Sequence, residues 1–251
     1  MEESVFCPCL EGIKIVKSEQ GDILTKPLLD VCRLLLPILD KFGAVMTVVK
    51  SDINGNIMRL ESKYNSNPSR FNYLYNLVQA EVETKTAKSS SSCTNGLLWL
   101  TRAMDFIVEL FRNLVEHQDW TMSQVCNDAY SKTLKKWHGW LASSSFTVII
   151  KLAPDRKFME VIGTEDDIYG DMQKFCTIFS PILGEIHKFL GMQTSRAAHE
   201  KLRAARVKAQ LELGQIRARV ELELFENSIE PSSSTGITGS LARRATRLYI
   251  Y

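Results

Sequence analysis

At 251 residues, with 45% hydrophobic and 24% charged residues, the chain has the make-up of a globular protein long enough to bury a sizeable core. Basic and acidic residues nearly balance overall, but not locally: residues 196–251 hold ten basic and six acidic, residues 1–195 hold 21 and 23. The body is therefore excluded as a nucleic-acid binder on charge.

The Met-Glu-Glu start has no basic segment followed by an apolar one, so no signal peptide is expected, and no run of 18 apolar residues suggests a membrane span. The six cysteines show no pairing rhythm and read as reduced thiols, mostly core filler. Cys7-Pro-Cys9 has no second Cys or His pair at ligand spacing, so no metal site is expected.

Helical periodicity then runs down the chain. Pro27 to Pro37 is too apolar for a surface helix and reads as buried, with Pro37 bending or ending it. Phe42 to Val49 continues into Ser51 and Asp52, after which Ile53, Ile57, Leu60 and Tyr64 recur at helical spacing. Asn67-Pro68 marks a turn, Phe71 to Val82 an amphipathic helix, and Ser89 to Ser92 a polar linker. Thr94 to Leu114 predicts a long central helix, Ser123 to Leu141 another, and Ile168 to Met192 a last helix pair or a helix kinked at Pro181. Phe146 to Ile150 is the only strand-like run; helix is preferred there, since nothing else offers a strand partner. An all-α body of about eight helices follows. Leu202, Ala205, Ala209, Ile216 and Val220 make a stripe on a basic helical segment, 196–226, and the Ser/Gly/Thr-rich stretch after it reads as disordered.

Asp52, Asn56 and Arg59 stand at i, i+4 and i+7, so one helix presents all three on one face. A solvated face is the ordinary reading of such a row. Gly55 among them is costly in a helix interior, by roughly 1 kcal/mol against Ala, and leaves room for a close approach to the backbone. Asn95 and Trp99 are one turn apart on the central helix. An indole beside an amide suits a sugar, the ring covering its C–H face and the amide bonding its hydroxyls. Core packing for Trp99 and a helix cap for Asn95 are the competing readings. Lys135-Lys136-Trp137-His138-Gly139-Trp140 combines two indoles with cations, as a membrane-interface patch does. No nucleophile elbow, P-loop, dinucleotide fingerprint or zinc-protease motif appears, which lowers the odds of an enzyme.

Together, Lys50-Ser-Asp52-Ile-Asn-Gly-Asn56-Ile-Met-Arg59, Gly96-Leu-Leu-Trp99-Leu-Thr-Arg102 and Leu134-Lys-Lys-Trp-His138-Gly-Trp140 resemble the glycolipid transfer protein family, its plant cytosolic members most. Asn67-Pro-Ser-Arg-Phe71 and Ala153-Pro-Asp support the likeness, which spans roughly residues 1–192. The resemblance implies a two-layer helical sandwich that carries glycosphingolipids between membranes unchanged, the sugar on the surface and the chains in a collapsible apolar space. It implies that Asp52, Asn56, Arg59, Asn95 and Trp99 bind the headgroup, that Asp52 and His138 meet the ceramide amide and carbonyl, and that Trp140 docks on the membrane. Arg59 stands where the family often has lysine, and Asn95 where its animal members have an apolar residue. The ceramide-1-phosphate branch places cations where this chain has Asn56, Asn95 and Trp99, so a neutral, glucosylceramide-type headgroup is expected. No cofactor is implied. A cytoplasmic monomer touching membranes transiently is expected, with residues 1–192 as the domain and 193–251 as an extension. The alternatives are a ceramide-1-phosphate carrier and a glycolipid-sensing or interaction scaffold.

Overall fold

In the computed structural model, which describes residues 4–138 and 165–228, the described residues are helix and turn without a strand. Two isolated bridges, Lys17 with Ile23 and Leu24 with Tyr73, are the extended pairing found there. The strand-like run Phe146 to Ile150 lies outside the described residues, as do Ala153-Pro154 and Trp140.

Helix α1 is Cys7–Lys14 and α2 is Thr25–Asp40. Pro37, expected to bend or end α2, lies inside it, and the helix carries on to Asp40. The proline removes one donor close to the helix end, and buried Ile38 and Leu39 hold the last turn against the core. Gly43 then takes a left-handed φ of 73°, which stops the helical run that Phe42 to Val49 suggests. A 3-10 turn, Gly43–Met46, leads into α3, Thr47–Ser66, which ends at Asn67-Pro68 as its sequence predicts.

Helix α4 is Leu74–Glu83, three residues shorter at its start than the periodicity suggests. Those residues are engaged elsewhere: the Phe71 carbonyl accepts the Thr25 hydroxyl at 2.6 Å, and Tyr73 bridges to Leu24. Helix α5, Cys93–Glu116, is capped twice. Ser92 accepts the Asn95 N–H at 3.0 Å, and the Glu81 carboxylate from α4 accepts the N–H groups of Cys93 and Thr94 at 2.7 and 2.8 Å. An acid at a helix N-terminus meets otherwise unpaired donors and the positive end of the helix dipole.

Helix α6, Met122–Lys132, opens with a capping box between Thr121 and Gln124. It stops nine residues short of the expected end at Leu141. The Thr133 hydroxyl bonds back to the Ala129 carbonyl at 2.6 Å, and Lys135–Trp137 tightens into a 3-10 turn. His138 follows with extended backbone, so it sits on a turn rather than on an amphipathic helix.

Helix α7, Glu165–Ser228, is helical through Pro181 and beyond Met192, where a helix pair or a kink was expected. By compactness the chain divides into residues 1–195 and 196–251. In the first, α3 packs chiefly on α5 and α2, and α5 also takes α6 and α4. Phe6, Phe111 and Phe175 fill the centre, with Phe6 and Phe111 edge to face at 5.3 Å. In the second, the described residues are helical to Ser228, with Val207 and Leu211 exposed and Lys208 paired to Glu212 at 3.9 Å. Cys9, Cys32, Cys93, Cys126 and Cys176 are buried free thiols, and burial pushes those of Cys9, Cys32 and Cys126 up to about 12. These five pack in the core, in line with the reading of the cysteines as mostly core filler.

Candidate functional site

On α3 the i, i+4, i+7 row does not face open water throughout. Asn56 is buried, 5% exposed, and its amide donates to the Asp52 backbone carbonyl at 2.9 Å, leaving its side-chain oxygen toward α5. Arg59 lies across the start of α5 because Gly96 is there. A Cβ on Gly96 would stand 3.0 Å from Arg59 Cδ and 3.7 Å from Asn56 Oδ1. The close approach that a glycine permits is thus at Gly96. At Gly55 a Cβ would meet no protein atom within 4 Å.

The Ser89–Ser92 linker contributes as well. The Ser90 carbonyl accepts from Arg59 Nη1 at 3.1 Å and from Asn95 Nδ2 at 3.0 Å, binding the two side chains to one oxygen. The α5 cap is Ser92 rather than Asn95, whose side chain lines the hollow instead. One turn on, Trp99 stacks near the His138 ring, centroids 5.9 Å apart and planes 28° apart. His138 Nδ1 lies 3.2 Å from the Tyr130 hydroxyl of α6. Behind Trp99, the Arg102 guanidinium sits 4.9 Å over its ring.

Asp52, Asn56, Arg59, Asn95, Trp99 and His138 together line one hollow of about 330 Å³. These are the six residues singled out as ligand-binding, brought together from α3, α5 and the turn after α6. Trp140, the expected membrane contact, falls outside the described residues. Sequence reasoning missed Gly96 as a spacer, Ser90 as a shared acceptor, and Tyr130 and Arg102 as supports. Gly96 and Arg102 stood in the quoted motif, but nothing in a linear pattern separates the glycine that two helices meet at from the one that faces out.

Burial, the larger cause, raises the Asp52 carboxyl above its ordinary value, while the Asn56 hydrogen bond and the charges of His138 and Arg59 oppose it. As a whole residue Asp52 is nonetheless exposed to solvent. Burial also lowers the His138 pKa, with Arg102 adding to the lowering and Asp52 opposing it. At neutral pH the imidazole is therefore neutral, one nitrogen a donor and one an acceptor. The hollow offers a carboxylate, two amides, a guanidinium, a neutral imidazole and an indole. Such a set has the chemistry to meet a polyhydroxylated ring, whose hydroxyls both give and accept hydrogen bonds and whose C–H face is apolar. Among the described residues that line it there is no serine, threonine or cysteine.

A larger hollow of about 400 Å³ lies between α5, α6 and α7, lined by Asp105, Glu109, Arg112, Lys132, Trp137 and His187 among others. Most of its charges are paired: Arg112 and Lys132 both reach Glu109 at 2.8 Å, Lys132 reaches Asp128 at 2.7 Å, and His187 reaches Asp105 at 2.5 Å. These pairs link α5 to α6 and to α7. No cluster of His, Cys, Asp or Glu able to hold a metal is found among the described residues.

Against known proteins, residues 23–164 match the family model for Glycolipid transfer protein (GLTP). Glycolipid transfer protein 1 of Arabidopsis thaliana is 64% identical over 202 residues, which is 79% of this chain and all of that one. The solved GLTP fold of FAPP2, described as selecting simple glycosphingolipids, superposes with a TM-score of 0.70 at 25% identity, over 76% of this chain and 97% of that one. Mouse ceramide-1-phosphate transfer protein shares the fold at a TM-score of 0.69 and 21% identity, over 77% of this chain and 98% of that one. The chain belongs to the glycolipid transfer protein family, a family of lipid carriers rather than enzymes, and has its all-α fold.

Proposed function

We propose that this protein lifts a glycosphingolipid from one membrane and delivers it to another without making or breaking a bond, with glucosylceramide-type lipids preferred. The observation that carries this reading is the single hollow lined by Asp52, Asn56, Arg59, Asn95, Trp99 and His138. Sugar hydroxyls would bond Asp52, Asn56, Arg59 and Asn95 while the ring stacks on Trp99. Asp52 would accept the ceramide amide N–H, and neutral His138 would donate to the acyl carbonyl. The hydrocarbon chains would enter the phenylalanine-rich core, since each Å² of apolar surface taken from water is worth roughly 25 cal/mol. Trp140 would dock on the bilayer, and the protein would work as a cytoplasmic monomer. No described helix is long and apolar enough to cross a membrane.

The test uses donor and acceptor vesicles and mass analysis of the lipid moved. Glucosylceramide should transfer intact, and ceramide-1-phosphate at roughly a tenth of that rate or less, because Asn56, Asn95 and Trp99 supply no cation for a phosphate. Equal rates for the two lipids would overturn the neutral-headgroup preference and point to Arg59 as a phosphate ligand. Transfer of neither would leave a sensing or scaffold role.

The same assay tests the domain boundary. A chain ending at Met192 keeps every residue of the hollow and is expected to stay folded and to transfer lipid from neutral vesicles. The basic extension is expected to raise affinity for anionic vesicles, each basic residue near such a surface being worth up to about 1 kcal/mol. Loss of transfer from neutral vesicles on truncation would move the extension into the domain.

A further inference from the structure

Arg102 takes no part in lining the hollow, yet its surroundings are unusual for an arginine. Its guanidinium carbon lies 3.7 Å from the centre of the Trp137 ring and 4.9 Å from that of Trp99. Its Nε is buried and has no hydrogen-bond partner. Asp105, one turn further along α5, favours its charge but is bonded at 2.5 Å to His187. Among the described residues no carboxylate forms an ion pair with Arg102. A cation withdrawn from water without an ion-pair partner costs stability, and methionine would fill the same place without that cost. What a guanidinium adds is a flat, charged plate that stacks on indoles.

The plate joins two elements. Trp99 belongs to α5 and to the hollow, whereas Trp137 belongs to the 3-10 turn Lys135–Trp137, is 47% exposed, and directly precedes His138. We propose that Arg102 is a positioning residue for the headgroup hollow: clamped between Trp99 and Trp137, it fixes the sugar-stacking indole and draws the turn that carries His138 against α5. This rests on the carrier reading above.

The arrangement has an electrical consequence. Among the described residues, the titratable and charged groups around His138 include Asp52 and Arg59 from α3, Arg102 from α5, Tyr130 from α6, and Lys135 and Lys136 on its own turn. Arg102 disfavours the imidazolium, alongside burial, and Asp52 favours it. Removing the Arg102 charge therefore raises the His138 pKa toward its ordinary value. With Nε2 donating to the acyl carbonyl, Nδ1 of the neutral ring is left to accept the Tyr130 hydroxyl 3.2 Å away; protonation, beginning at a higher pH as acidity increases, ends that acceptance and loosens the hold on the ring.

The experiment compares Arg102→Met and Arg102→Lys with the parent chain in glucosylceramide transfer between vesicles from pH 5 to 8, with the His138 ring proton followed by NMR. Arg102→Met should transfer about tenfold more slowly at neutral pH, lose activity at a higher pH than the parent on acidification, and show altered tryptophan fluorescence. Arg102→Lys keeps the charge but not the plate, so it should slow transfer while leaving the acid limb and the His138 titration in place. A methionine variant with parental rate and acid limb would overturn the proposal. Equal slowing in both variants with an unmoved His138 titration would reduce Arg102 to ordinary packing. If the methionine variant does not fold, a lysine variant with parental transfer overturns the proposal alone. A parent chain that moves no lipid would instead sink the carrier reading.

Discussion

Replacing Trp99 by alanine is expected to cut glycolipid transfer by at least about tenfold while helix content stays at the parental level. The indole is half-buried at the rim of the hollow, and its neighbours His138 and Arg102 hold it rather than depend on it for the core. Losing the platform removes both the stacking term, about 0.5–1.5 kcal/mol, and the apolar area beneath a bound sugar. Together these exceed the roughly 1.4 kcal/mol that makes a tenfold change. Circular dichroism checks the fold, and vesicle transfer checks the function. A folded variant that transfers at the parental rate would remove Trp99 from the site and with it the sugar-stacking argument.

The second large effect is expected at Gly96. Valine there would place its Cβ 3.0 Å from Arg59 Cδ, and its added methyl groups closer still to the α3–α5 contact. Arg59 must leave the Ser90 carbonyl, or the two helices must part. The first outcome costs headgroup binding; the second costs roughly 1–3 kcal/mol of stability, as overpacking does. Either way transfer should drop by about tenfold or more. Gly55→Ala is the contrast. It meets no protein atom, so it should raise stability by roughly 0.5–1 kcal/mol through the helix preference alone and leave transfer in place. Thermal unfolding and transfer measured on both variants separate the cases. Parental transfer by a folded Gly96→Val chain would show that the position of Arg59 does not matter to the ligand.

The two glycines also mark where linear reading ends. Asp52, Asn56 and Arg59 could be placed on one face from spacing, because a helix period is local geometry that the order of residues imposes. The same holds for Asn95 and Trp99, for the stop at Asn67-Pro68, and for the all-helical class, which the apolar period declares in nearly every segment. What spacing left undecided was whether the polar row on α3 was a solvated surface or part of a site. That the row borders a hollow at all depended on α5 packing against it, and on the turn after α6 carrying His138 to the same place.

The errors have the same origin. Helix α4 starts late because Phe71 and Tyr73 bond to residues of the Thr25 region, and α6 ends early where the chain tightens into the 3-10 turn Lys135–Trp137. Pro37 lies within its helix because buried neighbours hold the last turn. Local propensities are worth tenths to about 1 kcal/mol per residue, so tertiary contacts of similar or greater strength override them at element ends. By itself the sequence determined the helical class, the row on α3 and the pair on α5. Only the tertiary structure decided which glycine is a spacer, that Ser90 binds Arg59 to Asn95, and that Arg102 lies between two indoles, because each is a meeting of segments far apart in the chain whose distance no periodicity encodes.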